Sequence, residues 1–279
     1  MSAYQPNTRE MFTLLRHVLQ GPQQLGQLSA YAEVDDDLME QVIDEAGKFV
    51  GDVIAPLNRE GDEIGCRFEQ GQVITPPGFR EAYQAFWQAG WPALASATED
   101  GGQGLPAVLE AMLYEMLSAG NHGWTMAPGL LHGAYECIKH HASESLKSQY
   151  LPRIASGELR LQSMAVTEPT TGSDTTRLKT TATRRDGRWV INGQKVWISR
   201  VQHSDWMILL ARTTPLSEVQ RKSEGMSIFM VDLKQAIGNG LTVRPILNMV
   251  NHETNELFFE NLEIPAENLI GQEGQGFKY

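Results

Sequence analysis

Cysteine is scarce in this chain of 279 residues: there are two, Cys66 and Cys137, far apart in sequence. They give no disulfide framework and no metal-ligand spacing, and they predict a reducing compartment, the cytoplasm. Basic charge is short as well. Lys and Arg number 23 against 34 Asp and Glu, for a net charge of −11. Nucleic acid as the main partner needs clustered Lys and Arg and is excluded on that ground, whereas a small phosphate-bearing ligand held by backbone N–H groups is not. Long hydrophobic runs are missing too. Stretches such as Met207 to Ala211 fall far below the ~20 apolar residues that cross a membrane. The opening MSAYQPNTREMFTLL has no basic region followed by an apolar core, so no signal peptide is expected. There is no GxSxG elbow, and neither cysteine sits in a nucleophile's setting. His140 and His141 are adjacent rather than three or four apart, and His132, His203 and His252 are isolated in sequence, so no metal site is predicted.

What is present changes character near residue 160. Before it the apolar residues recur with a helical period. Leu38, Met39, Val42, Ile43, Ala46, Phe49, Val50 and Val53 form one face, opened by Asp35, Asp36 and Asp37 and ended by Pro56. Met11, Leu14, Leu15, Val18 and Leu19 form another, closed by Gly21 and Pro22; Phe79, Tyr83, Phe86 and Trp87 form a third. Leu109, Met112, Leu113, Met116 and Leu117 follow Pro106, and Leu146, Tyr150, Leu151 and Ile154 precede Gly157. Such stripes are helix-packing core.

After residue 160 the pattern is that of strands. Trp189 to Ile191, then Asn192 and Gly193, then Gln194 to Ile198, predicts a hairpin closed by a tight Asn-Gly turn. Trp206 to Ala211, Ser227 to Leu233, Leu241 to Ile246 and Glu256 to Ile264 are further strand candidates. Strands in a row without intervening helices predict an antiparallel barrel or sandwich. The polar stretch from Thr214 to Gly225 reads as a mobile loop. Gly101, Gly102 and Gly104 lack the preceding strand that a nucleotide-binding turn requires, so they read as a turn into the helix at Pro106.

The most informative segment is MAVTEPTTGSD, residues 164–174. Thr167, Thr170, Thr171 and Ser173 offer hydroxyls, and Pro169 and Gly172 shape the backbone. Such a loop is either a polar surface turn or a cradle for the polar edge of a flat heterocycle or a diphosphate. Trp197 next to Ile198 and Ser199 at a strand end is open in the same way. The indole either packs in the barrel core or stacks on a ring whose edge the hydroxyl bonds.

Together, MAVTEPTTGSD and NGQKVWIS resemble the paired flavin-binding motifs of the acyl-CoA dehydrogenase family, in order and in separation. WPALASATEDGGQGLP and LKSQYLPRIASGELR resemble its N-terminal helical domain and the passage out of it, and NELFFENLEIPAENLIGQEGQGFKY resembles the end of its middle domain. Residues 8–20 are similar to the extended N-terminal helix of longer bacterial members. The resemblance implies an α+β protein: an N-terminal all-α domain over residues 1–160, then an antiparallel β-barrel domain over residues 161–279.

It further implies FAD as cofactor. Met164, Ala165, Val166, Thr167, Gly172 and Ser173 would line the flavin, with backbone groups of Val166 and Thr167 and the Thr167 hydroxyl on its pyrimidine edge. Donors there stabilise the negative charge of the reduced ring. Ser173 would also lie near the diphosphate and the substrate's CoA moiety, Trp197 would cover the ring face away from the substrate, and Ile198 and Ser199 would complete the site. Met164 stands where many members carry Tyr or Phe. The implied reaction is α,β-dehydrogenation of an acyl-CoA thioester, as in the β-oxidation of fatty acids. A carboxylate takes the α proton, hydride passes to the flavin, and an electron-transfer flavoprotein accepts the electrons. Full-length members are homo-oligomers. An acyl-CoA oxidase, a nitroalkane oxidase-like enzyme or a non-catalytic module of the same fold are the alternatives.

The family's catalytic Glu and its C-terminal helical bundle would lie beyond Tyr279, so the catalytic residue is unassigned and the chain reads as an N-terminal and middle fragment. Alone it is expected to bind FAD weakly and not to oxidise acyl-CoA.

Overall fold

The computed structural model describes residues 4–161, 163–249 and 252–279. By Cα proximity the chain falls into two compact units, residues 1–67 with 74–129, and residues 68–73 with 130–279.

The first unit is helical. Its helices are α1 (Thr8–Thr13), α2 (Gly21–Leu25), α3 (Asp36–Phe49), α4 (Asn58–Ile64), α5 (Phe79–Gln88) and α6 (Ala107–Thr125). α3 starts where the acidic run predicts. The Asp35 carboxylate accepts from the N–H of Leu38 at 2.9 Å, and Asp36 and Asp37 occupy the positive first turn. Its stripe of Met39, Ile43, Ala46, Val50 and Ile54 is buried, the last two on a π turn that precedes Pro56. Gly21 and Pro22 do not only close a helix: they open α2, where a proline's missing N–H costs nothing. α6 breaks at Asn121, whose φ of −160° and ψ of 89° interrupt the helix. Asn121 Oδ1 then accepts from the N–H of Trp124 at 3.0 Å, recapping the last turn. Trp124 meets Phe86 edge to face in the core, with ring centroids 5.4 Å apart.

A two-stranded hairpin pairs β1 (Arg67–Glu69) with β2 (Gln72–Ile74). The second unit then contributes α7 (Leu131–His141), which the sequence pattern did not single out, and α8 (Glu144–Ala155), capped by Ser143.

The rest of that unit is an eight-stranded, mostly antiparallel sheet. Its strands are β3 (Ser163–Ala165), β4 (Thr181–Arg185), β5 (Arg188–Ser199), β6 (Trp206–Arg212), β7 (Met226–Asp232), β8 (Leu241–Pro245), β9 (Thr254–Pro265) and β10 (Leu269–Ile270), with the short helix α9 (Leu233–Ala236) after β7. They hydrogen-bond in the order β10-β7-β6-β4-β5-β9-β8, and β3 adds to β6. The β3–β6 and β4–β6 pairings are parallel, a departure from the all-antiparallel expectation. Inward residues such as Ala165, Ile191, Leu209, Phe229, Leu241 and Phe259 share one core cluster.

The expected hairpin at Asn192 and Gly193 is not formed; both residues lie inside β5, which runs unbroken from Arg188 to Ser199. The tight turn is Asp186-Gly187, with φ of 51° and 77°, joining β4 to β5. β5 pairs with β4 on one edge and β9 on the other, and this long-range pairing overrides the local turn signal. Gly193 serves close approach instead. A Cβ there would sit 2.5 Å from Thr180 Oγ1 and 2.6 Å from Thr180 Cα.

Candidate functional site

The loop of residues 164–174 leaves the end of β3, where Met164 and Ala165 pair with Ile208 and Leu209. It is tied to itself by reciprocal bonds between the backbones of Glu168 and Thr171, both at 3.0 Å. It is tied to β5 by the N–H of Val196, which donates to the carbonyl of Thr167 at 3.0 Å, and by Ser163, whose hydroxyl donates to the carbonyl of Ser199 at 3.0 Å. The two motifs that the sequence keeps apart are therefore side by side.

Beneath the loop lies an ion pair that sequence reasoning missed. Lys195 is fully buried and Glu168 is 5% exposed. Lys195 Nζ donates to Glu168 Oε1 at 3.0 Å and to the carbonyl of Val166 at 2.9 Å. The Glu168 carboxylate also accepts from the backbone N–H groups of Lys179, at 2.6 Å, and Thr180, at 2.9 Å. Burial pushes the Lys195 ammonium down to about 8, against the pull of Glu168. Burial would raise Glu168, but Lys195 and the two N–H donors outweigh it and hold the carboxyl below its ordinary value. The available signal was a lysine in alternation with Trp189 and Ile191, on the face of the strand that those apolar residues turn inward.

By simple alternation Trp197 shares a side with Trp189, Ile191 and Lys195 and would point into the core. A bulge reverses this. Lys195 pairs with Leu257 and Ile198 pairs with Asn255, so β5 advances three residues while β9 advances two. Trp197 takes the extra place, with a left-handed φ of 61°, and its indole stands 58% exposed. Ile198 turns into the core in its stead, and the buried Asn255 donates its Nδ2 to the Ile198 carbonyl at 3.1 Å. A core position for Trp197 is thus excluded.

The remaining predicted residues divide by orientation. Met164, Val166, Thr167 and Ser199 are partly exposed, and Gly172 and Ser173 are exposed. A Cβ at Gly172 would meet nothing within 4 Å, so the space above it is open. Ala165 and Ile198 are buried in the core, so only their backbones can face a ligand. Ser199 Oγ lies 3.2 Å from His252 Nε2, a neighbour that its place in sequence did not suggest. The buried Thr171 hydroxyl makes no hydrogen bond among the described residues. The result is a surface with one bare indole face, hydroxyls at its margin and a rigid backbone loop beside it. That is a fitting surround for a flat heterocycle with a polar edge.

The comparisons with known proteins show the family. The pattern of the acyl-CoA dehydrogenase N-terminal domain matches residues 36–158, and that of the acyl-CoA dehydrogenase middle domain matches residues 163–262. The chain belongs to the acyl-CoA dehydrogenase family. It is 32% identical to the 3-methylmercaptopropionyl-CoA dehydrogenase of Ruegeria pomeroyi, over 99% of this chain and 48% of that protein. Among solved structures it is similar to glutaryl-coenzyme A dehydrogenase in its glutaryl-CoA complex, at 25% identity and a TM-score of 0.73, over 86% of this chain and 58% of that one. A chain solved in work on the electron-transferring flavoprotein of Acidaminococcus fermentans is similar at 26% identity and a TM-score of 0.73, over 86% and 59%. The chain spans about half the length of the curated relatives it matches.

Among the described residues, no helix is long and apolar enough to cross a membrane, and no group of three or more His, Cys, Asp or Glu could hold a metal ion. In this acyl-CoA dehydrogenase family member both cysteines are free thiols.

Proposed function

We propose that this chain carries the flavin-holding part of an FAD-dependent acyl-CoA dehydrogenase. The observation that carries the reading is Trp197. A large indole that is mostly exposed and held in left-handed backbone costs folding free energy, of order 1–2 kcal/mol in the backbone alone, with most of its surface left uncovered. Covering a ring face supplies the reason.

In this reading Met164, Val166 and Thr167 line the ring and the Val166 and Thr167 backbone and the Thr167 hydroxyl bond its pyrimidine edge. Ala165 contributes only backbone. Gly172 leaves room for the diphosphate, with Ser173 at the diphosphate and the CoA end. Trp197, with Ile198 behind it, covers the far face, and Ser199 bonds the edge near the reactive nitrogen. FAD, when bound, supplies the hydride acceptor; the protein's part is to bind, orient and polarise it.

Glu168 is the carboxylate closest in sequence to this loop's backbone donors, and it is engaged by Lys195 and two N–H groups. Engaged in this way and held below its ordinary value, Glu168 is a poor base, and we leave the proton-abstracting group unassigned. The substrate class is an acyl-CoA thioester and the acceptor an electron-transfer flavoprotein. We take the domain boundary at residue 160, between the two matched segments. With both thiols free, the cytoplasm is the fitting compartment.

The test is a titration of the purified chain with FAD, followed by flavin fluorescence. Saturable binding of one FAD per chain, in the micromolar range and lost by at least tenfold in Trp197→Ala, is expected. No saturable binding, or binding indifferent to Trp197, overturns the reading.

A further inference from the structure

Among the buried charges of the second unit, one lies directly behind the loop that would meet the flavin. Lys195 Nζ donates to the carbonyl oxygen of Val166 at 2.9 Å. That carbonyl belongs to the same planar peptide as the N–H of Thr167, and the chain has no cis peptide among its described residues. In a trans peptide C=O and N–H point in opposite directions. The ammonium therefore sits at one end of a single peptide dipole whose other end is the N–H of Thr167.

A cation on the carbonyl draws electron density from the amide and makes its N–H a stronger donor. Hydrogen bonds in series polarise one another, and the effect grows where the local dielectric is low. Lys195 is fully buried, so water does not screen it. Glu168 does not cancel this arrangement, because its carboxylate is shared among Lys195, the N–H of Lys179 and the N–H of Thr180. It holds the ammonium in place at 3.0 Å while Lys195 spends another N–H on Val166.

We infer that Lys195 is a positioning residue that favours the reduced flavin, acting through the Val166–Thr167 peptide. Glu168 is the anchor that fixes the lysine. The inference rests on the flavin reading above and deepens it: the preference for negative charge at the pyrimidine edge comes from a buried lysine as well as from the exposed loop. Removing the cation weakens the Thr167 N–H as a donor, and this matters more for the anionic reduced ring than for the neutral oxidised one.

The test measures two affinities, for oxidised FAD and, under anaerobic conditions, for dithionite-reduced FAD, by quenching of protein fluorescence in the full chain. The ratio of the two dissociation constants is the readout. A lysine that merely stabilises the fold would weaken both states alike and leave the ratio unchanged. The variant is Lys195→Met with Glu168→Gln, which removes both charges of the ion pair together, so neither partner is left facing an uncompensated one. Its preference for reduced FAD is expected to fall at least fivefold relative to the wild-type chain. Lys195→Arg, which keeps the cation, is expected to retain the preference whatever its absolute affinity, and it serves if the double variant does not fold. An unchanged ratio in the double variant, or a loss in Lys195→Arg as large as in the methionine variant, overturns the inference. A wild-type chain that binds neither redox state overturns the flavin reading itself and the inference with it.

Discussion

The hydroxyl of Ser163, on β3, donates to the backbone carbonyl of Ser199, on β5, across 3.0 Å. This bond joins the residue just before one candidate flavin segment to the last residue of the other, and Ser163 is completely buried. Ser163→Ala leaves that carbonyl without its side-chain donor, and a loss of about 1 kcal/mol is expected in urea unfolding. FAD affinity should fall several-fold as well, because the end of β5 is freed from β3. A variant with wild-type stability and wild-type affinity would show the bond to be incidental.

Trp197 separates folding from binding. The side chain is exposed and its φ is left-handed, so Trp197→Gly removes strain and little packing. The variant should match or exceed wild-type stability by up to about 1 kcal/mol, while FAD binding falls by at least tenfold. Thermal unfolding and a flavin titration on the same preparation check both halves. Marked destabilisation would mean that the indole packs on something the exposed position does not reveal.

Two glycines, one in the turn between β4 and β5 and one inside β5, make different demands. Gly187 needs only its left-handed φ of 77°, with open space around it, so Gly187→Ala is expected to cost about 1 kcal/mol. At Gly193 a methyl group would collide with the backbone and side chain of Thr180, and Gly193→Ala is expected to cost 2 kcal/mol or more, roughly, by overpacking. Equal costs in chemical unfolding would show that Thr180 moves aside and that close approach does not fix Gly193.

Acid should unfold the second unit through two carboxylates. Burial would raise Asp205, but bonds from the Arg160 guanidinium and backbone and from Lys234 hold it well below its usual range; Glu168 is also lowered. A carboxylate with a depressed folded pKa binds protons more weakly in the folded state, so its contribution is complete above the unfolded value, about pH 4–4.5. It is lost as the pH falls further, through the folded value. Urea midpoints should therefore be flat from pH 7 to pH 5 on account of these groups and fall below that. Asp205→Asn should lower the plateau by about 1–2 kcal/mol and shallow the acid decline. A decline as steep in the variant as in the wild type would assign the acid sensitivity elsewhere.

Much of the architecture was legible in the residues. Most of the stripe read from Leu38 to Val53, from Met39 onward, and the acidic cap at Asp35 appear as read, as do α5, α8, β6, β7 and β9. Each rests on a period of 3.6 or 2, or on a cap within three residues. The loop at residues 164–174 was legible by the same token, since its hydroxyls and turn residues are contiguous. Asp186-Gly187 carried a turn signal as good as Asn192-Gly193, and only β9, pairing along the whole of β5, decides between them. α7 was missed although Leu131, Ala134, Tyr135 and Ile138 are buried along it.

By itself, then, the sequence determined most of the helices and strands in their order and the family to which the chain belongs. These depend on neighbours in the chain or on contiguous motifs. Only the tertiary structure decided that Trp197 faces out and that Lys195 reaches Glu168 and Val166. The first follows from a one-residue bulge whose register is set by β9, and the second from a loop folding onto a strand it does not adjoin in sequence. An alternation can be read from one strand, but a slip in it exists only relative to the partner.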